Sequence, residues 1–185
     1  MANQEKVCFE KVGSSLSAMT TLAFGINHKS ASVDLRGKIA FAPEIVVQAL
    51  QDARSILHVQ EIALLSTCNR TELYLHGDVT DTQLLTWLAM VKGVEIGQLK
   101  SCYYCYRGEE AVTHMMRVAS GLDSLILGEP QILGQLKDSF RLAQASGVMG
   151  SDLNRLSQQT YRVAKHVRST TSIGENPVSV ASTAV

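Results

Sequence analysis

Two apolar runs separated by a short polar stretch constrain this chain most. Glu61-Ile62-Ala63-Leu64-Leu65 reads as a buried strand, and Glu72-Leu73-Tyr74-Leu75-His76 reads as a second extended run. Between them stand Ser66, Thr67, Cys68, Asn69, Arg70 and Thr71. Polar chemistry placed between two strands sits at the mouth of a sheet, where a rigid scaffold holds it. A free cysteine there is ordinarily a small buried hydrophobe. The neighbours of Cys68 argue for more. An unperturbed thiol is only a few per cent ionised at about pH 7, and an arginine two positions on favours the thiolate. Cys68 is therefore the candidate nucleophile, and Arg70 its candidate substrate anchor. Asn69-Arg70-Thr71 also spells a glycosylation acceptor, which matters only in a secreted chain.

The chain has 185 residues, 45% of them hydrophobic, with a formal net charge of zero. That composition suits an ordinary globular protein and argues against a generic polyanion binder. No apolar run approaches the ~20 residues of a membrane span. Residues 1–18 read as a disordered tail without the apolar core of a signal peptide, and Met19 is an alternative start. The four cysteines, Cys8, Cys68, Cys102 and Cys105, are then expected as reduced thiols in the cytoplasm. Cys102 and Cys105 form a single C-x-x-C with no partner ligands at zinc spacing. Their stretch reads as a strand, which points residues three apart to opposite faces, so packing is preferred over metal or redox chemistry.

In order, a strand is expected over Thr20–Asn27, followed by a polar loop, His28-Lys29-Ser30-Ala31-Ser32, read as a solvated turn. Leu35 to Phe41 is ambiguous. Pro43 opens a helix to about Ala53, with Ile45, Val46, Ala49 and Leu50 on its apolar side. The strand into Cys68 and a strand over Thr71–Gly77 follow. Next come a helix over Asp81–Val91 and a strand over Cys102–Tyr106. The order β-α-β-β-α-β is that of an α+β, ferredoxin-like antiparallel sheet. This first part is expected to span residues 19–107.

From Gly108 to about residue 172 the strand signal stops and a helical part is expected. Its helices run over Glu109–Ser120, with Val112, Met115, Met116 and Ala119 inward, and from Pro130 to about Ala145. A third is capped by Ser151-Asp152 and carries Leu153, Leu156, Thr160, Val163 and Val167. Arg155, Arg162 and Lys165, with His166 and Arg168 near the end, form a basic stripe: a solvated face or a strip for phosphates. Residues 173–185 read as a turn and the start of a further apolar segment. Neither a G-x-G-x-x-G nor a P-loop occurs.

Five separated stretches resemble one family, bacterial-type glutamyl-tRNA reductase. They are Gly25–Lys29, Ser66–Tyr74, Arg117–Ser124, Leu127–Gln135 and Ile173–Val180. The resemblance implies a catalytic domain whose nucleophile falls on Cys68. It implies substrate contacts at Thr67, Asn69, Arg70, Ser124, Glu129, Pro130, Gln131 and Gln135, and an activity-supporting histidine at His114. It further implies glutamyl-tRNA as substrate and NADPH as reductant, the latter bound by a domain expected to be absent from this chain, with residues 173–185 the start of the connection to it. A homodimer of the full-length protein and the semialdehyde aminomutase acting next are the implied protein partners.

The residue types suit that chemistry. A thiolate attacks an aminoacyl ester to give a thioester, and a guanidinium grips a carboxylate with two parallel bonds. Two other readings stand beside it. One is a module that binds glutamyl-tRNA or a partner without turnover. The other is a weak esterase or cysteine hydrolase using Cys68 and His114 as nucleophile and base.

Overall fold

The computed structural model describes residues 20–174. The tail expected over 1–18, Cys8, and the segment from 175 onward lie outside the described residues. Four strands and seven helices occur among them: β1 Thr20–Asn27, α1 Val33–Ile39, α2 Pro43–Leu57, β2 Glu61–Ser66, β3 Arg70–Gly77, α3 Asp81–Lys92, α4 Ile96–Lys100, β4 Tyr104–Arg107, α5 Glu109–Ala119, α6 Gln131–Ala145 and α7 Ser151–Thr170. A 3-10 turn, Ser172–Gly174, follows. The sheet runs β2-β3-β1-β4, and each neighbouring pair is antiparallel. This is the expected ferredoxin-like α+β plan, with helices added to it.

Burial explains why β2 and β3 read as continuous apolar runs. Tyr74 of β3 meets Phe140 of α6, and Glu72 meets His114 of α5, so one sheet face looks toward the later helices. The alternate residues Leu73 and Leu75 are equally buried. On their face lie α2 and α3, which pack on each other while α2 also packs on β2. A sheet covered on both sides has no solvent face to alternate toward. The buried side chains of sheet and helices join in one hydrophobic cluster, from Leu22 to Ala164.

Local signals set the helix ends. Thr80 and Gln83 form a reciprocal capping box at the start of α3, and Gly93 ends that helix at φ 61°. Pro43 stands in the first turn of α2. The ambiguous stretch after β1 becomes α1, capped where the Ser32 hydroxyl accepts from the Leu35 amide.

Several expectations need correction. The strand expected from Cys102 begins only at Tyr104, because α4 and its closing turn occupy the preceding residues. Cys102 is thus a buried turn residue with Sγ 3.2 Å from the Gln98 carbonyl, and the opposite-faces argument for the C-x-x-C does not apply. The buried stripe of α5 is Ala111, His114, Met115, Val118 and Ala119, shifted from the expected one by the inward turn of His114. Ile45 and Val163 are exposed, whereas Ala53, Leu57 and Ala164 are buried.

Ser151 and Asp152 do not cap α7. The cap comes from Glu61 of β2, whose carboxylate accepts from the amides of Asp152 (3.1 Å) and Leu153 (2.7 Å). A carboxylate there suits the positive end of the helix dipole. Gly150 makes room for it, since a Cβ at that position would lie 2.6 Å from Glu61 Oε1.

Candidate active site

The tip of the β2–β3 hairpin is a turn closed on Thr67. Its hydroxyl accepts from the amides of Asn69 and Arg70, each at 3.2 Å, while its own amide donates to the Arg70 carbonyl at 2.8 Å. Hydroxyl-to-backbone bonds of this kind fix tight turns. Two neighbours pin the turn from outside. Arg36 Nε donates to the Cys68 carbonyl at 3.3 Å, and the His28 amide donates to the Asn69 carbonyl at 2.9 Å. The backbone at Cys68 is held, and the residue itself is exposed.

Beside it lies a cavity of about 40 Å³ lined by Thr67, Cys68, Asn69, Arg70, Ser124, Glu129, Gln131 and Gln135, with Ile132. Three separate stretches of chain therefore converge there. Gln131 and Gln135 stand one turn apart at the start of α6, where residues four apart share a face. Ser124 Oγ is buried without a hydrogen-bond partner. Such an orphaned hydroxyl inside a polar cavity calls for an occupant. Of the residues expected at the site, Pro130 and His114 are not among the lining residues. Pro130 is the N-cap residue of α6 and so sets where Gln131 begins.

Arg70 is not the free guanidinium that the sequence suggested. It is 2% exposed. Its Nη1 donates to Glu72 at 2.7 Å, and its Nη2 to the Asp123 carbonyl at 2.5 Å and the Asp123 carboxylate at 3.2 Å. A buried cation needs this pairing, because an unpaired charge away from water is very costly. Its positive charge is therefore already matched and is not a bare field on the thiol.

Glu72 organises the rest. Besides Arg70 it accepts from the hydroxyls of Tyr74 and Tyr104 and meets His114 Nε2 at 3.1 Å. Glycine makes this possible. In register, Gly25 of β1 stands between Glu72 of β3 and Tyr104 of β4. A Cβ on Gly25 would fall 2.6 Å from Glu72 Cγ and 3.0 Å from the Tyr104 hydroxyl, so only glycine lets the two side chains meet. Burial pushes the Glu72 carboxyl up in pKa. The His114 hydrogen bond, the Arg70 charge and the Tyr104 hydrogen bond outweigh that and bring it to about 2. Burial and the Glu72 charge raise both tyrosines well above their ordinary range, so they remain donors.

His114 therefore belongs to Glu72, and no hydrogen bond joins it to Cys68. It faces a different, larger cavity of about 610 Å³, whose wall also includes Tyr104, Tyr106, Arg117 and Asp123. Lys29, expected in a solvated turn, pairs with Asp123. Burial raises the Asp123 carboxyl, but Lys29 and Arg70 outweigh it and hold the group below its ordinary range.

The other described cysteines are less exposed than Cys68. Burial pushes the Cys102 thiol up, and burial together with the Asp81 charge pushes Cys105 to about 12. Among the described residues no group of three or more His, Cys, Asp or Glu side chains could hold a metal ion, and no helix is long and apolar enough to cross a membrane.

Sequence reasoning passed over Glu72, Tyr104 and Asp123 as site residues. A signal for the first was present. Arg70, Glu72 and Tyr74 alternate along one face of β3, and three polar groups on one face of a buried strand must satisfy one another.

Fold and site together define an α+β domain that presents an exposed thiol on a turn-held hairpin tip beside a small donor-rich cavity. Residues 24–171 match the family model described as glutamyl-tRNAGlu reductase, N-terminal domain. The chain belongs to the glutamyl-tRNA reductase family and corresponds to that N-terminal domain. It is 52% identical over 167 residues to the glutamyl-tRNA reductase of Saccharophagus degradans, covering 90% of this chain and 39% of that protein. The enzyme of the same name from Stutzerimonas stutzeri is also 52% identical, over 168 residues, with 90% and 40% covered. Among solved structures, glutamyl-tRNA reductase from Methanopyrus kandleri matches with a TM-score of 0.73 at 30% identity, covering 88% of this chain and 37% of that one. The chain thus spans about two fifths of the length of the curated relatives it matches.

Proposed function

We propose that this chain performs the acyl-transfer half of glutamyl-tRNA reduction. The Cys68 thiolate attacks the ester carbonyl of glutamyl-tRNA. The bond from that carbonyl to the ribose oxygen breaks, a thioester forms on Cys68, and the tRNA leaves with its hydroxyl reprotonated. Arg70 and Ser124 receive the glutamyl side-chain carboxylate, with Asp123 giving up its place on the guanidinium while Lys29 still balances its charge. Glu129, Gln131 and Gln135 line the remaining wall and hydrogen-bond the α-ammonium and carbonyl, with Thr67 and Asn69 shaping the loop beneath. His114, held at Nε2 by Glu72, takes up the thiol proton at its other ring nitrogen and delivers it to the departing ribose oxygen.

The observation that carries this reading is the convergence of three chain segments on one cavity beside an exposed thiol, with the Ser124 hydroxyl buried and unpartnered. The cavity of about 40 Å³ is far smaller than the ~300–1,000 Å³ of small-molecule sites, so the glutamyl group enters by displacing side chains at the start of α6. In the whole protein we assign the thioester to NADPH-dependent reduction, giving glutamate-1-semialdehyde for tetrapyrrole synthesis. The dimer and the aminomutase contact belong to that whole protein as well. No glycine-rich dinucleotide loop occurs in the sequence, and no step through NADPH is assigned to this chain.

The test is incubation of the chain with glutamyl-tRNA, with and without NADPH, assaying free glutamate and the semialdehyde. Slow release of glutamate, unchanged by NADPH, is expected from hydrolysis of the thioester. Charged tRNA that stays bound and intact would favour a binding module instead.

A further inference from the structure

The larger cavity has no part assigned to it beyond His114. Its volume, about 610 Å³, is that of a small-molecule site. One wall is aromatic. Tyr104 and Tyr106 stand two apart on β4, with ring centroids 5.5 Å apart, and both pack against the His114 ring, at 5.3 and 4.8 Å. Tyr104 and His114 are both anchored to the buried Glu72, so the wall is rigid. Of the two cations in the lining, Lys29 is paired with Asp123, which leaves Arg117, while Glu109 and Glu110 supply acceptors. A fixed aromatic face stacks a nucleobase, an arginine beside it can meet a phosphate, and carboxylates can accept from the sugar hydroxyls.

Its place in the fold narrows the ligand. Asp123 lines this cavity and Ser124 lines the one beside Cys68, so consecutive residues form the partition. Arg70 reaches across the partition to Asp123. An aminoacyl group and its nucleoside are joined by a single ester bond, so their seats must adjoin.

We propose that this cavity seats the 3′-terminal adenosine of the tRNA, its base on the Tyr104–Tyr106 wall and its phosphate toward Arg117. The proposal rests on the acyl-transfer reading above. A nicotinamide nucleotide shares some of this chemistry but is not tied to the glutamyl group, and contiguity favours the adenosine.

The test compares acylation of Cys68 by 3′-O-glutamyl-adenosine 5′-phosphate and by glutamyl ethyl ester, read by intact-protein mass, alongside calorimetric titration with AMP. The nucleotide ester is expected to react faster, and Tyr106→Ala is expected to reduce its advantage about ten- to a hundredfold, as loss of one stacked base does. Tyr106→Phe should keep the advantage, and AMP should bind wild type but not Tyr106→Ala. Equal rates for the two esters in wild type would overturn the proposal. So would an advantage untouched by Tyr106→Ala, or protection by reduced nicotinamide mononucleotide in place of AMP. If AMP binds through Tyr106 but neither ester acylates Cys68, the seat stands and the acyl-transfer reading falls.

Discussion

Cys68 and Glu72 lie four residues apart on one hairpin, yet their surroundings are opposite. Cys68 is exposed on a turn, held through its backbone by Arg36. Glu72 is 1% exposed and bonded to Arg70, Tyr74, Tyr104 and His114. Exposure and rigidity are thus divided between two places. The thiol is open to solvent, while a buried ionic cluster fixes the frame around it. Substitutions at the two positions should therefore fail differently.

The largest expected effect on the frame comes from Glu72→Gln. It leaves Arg70 buried without its main anion, and breaking a buried pair in this way costs about 3–5 kcal/mol. For a chain of this size that is a fall in Tm on the order of 10 °C. The variant also tests acid sensitivity. The folded-state pKa of Glu72, about 2, lies below its ordinary value, so its contribution is fully present above the ordinary carboxylate range and is lost as pH falls toward 2. The wild-type loss of stability between those limits should be shallower in Glu72→Gln. An unchanged Tm and an unchanged acid limb would show that the cluster does not hold the fold.

Next in size is the reactivity gap among thiols. With Cys105 pushed to about 12, its thiolate at neutral pH is roughly a thousandfold scarcer than that of an ordinary thiol. Alkylation followed by peptide mapping in a Cys8→Ser background should label Cys68 first, then Cys102 and Cys105. Faster labelling of Cys102 or Cys105 would remove the contrast on which the nucleophile assignment stands.

Arg70 belongs to both regions, lining the thiol's cavity while anchored to Glu72. Arg70→Lys keeps the charge but loses the planar fork. Loss of a charge-assisted bond to the substrate, worth about 1.5–3 kcal/mol, should lower the rate of Cys68 acylation by one to two decades. Wild-type rates in a folded Arg70→Lys protein would confine Arg70 to the frame.

The exposed half of this comparison was the more legible in sequence. The strands, the polar tip and the candidate thiol follow from apolar runs interrupted by small polar residues. The ferredoxin-like order follows from the spacing of those runs. The buried half was hidden for physical reasons. Glu72 meets Tyr104 only because Gly25 lies between them in register, and register across strands distant in sequence is not written locally. Glu61 caps α7 from 91 residues away, which no local capping pattern announces. The short α4 is five residues long, too short to show a period, and it displaced the start of β4.

The central claim is that Cys68 takes the glutamyl group. The most direct measurement is peptide mass mapping after brief incubation with glutamyl-tRNA at mildly acidic pH. A hydroxylamine-labile glutamyl adduct on the Cys68 peptide is predicted, absent in Cys68→Ala although that variant's Tm stays within a degree or two, as an exposed side chain allows. Glutamate released from tRNA at an undiminished rate by Cys68→Ala, or an adduct mapped to another residue, would contradict it.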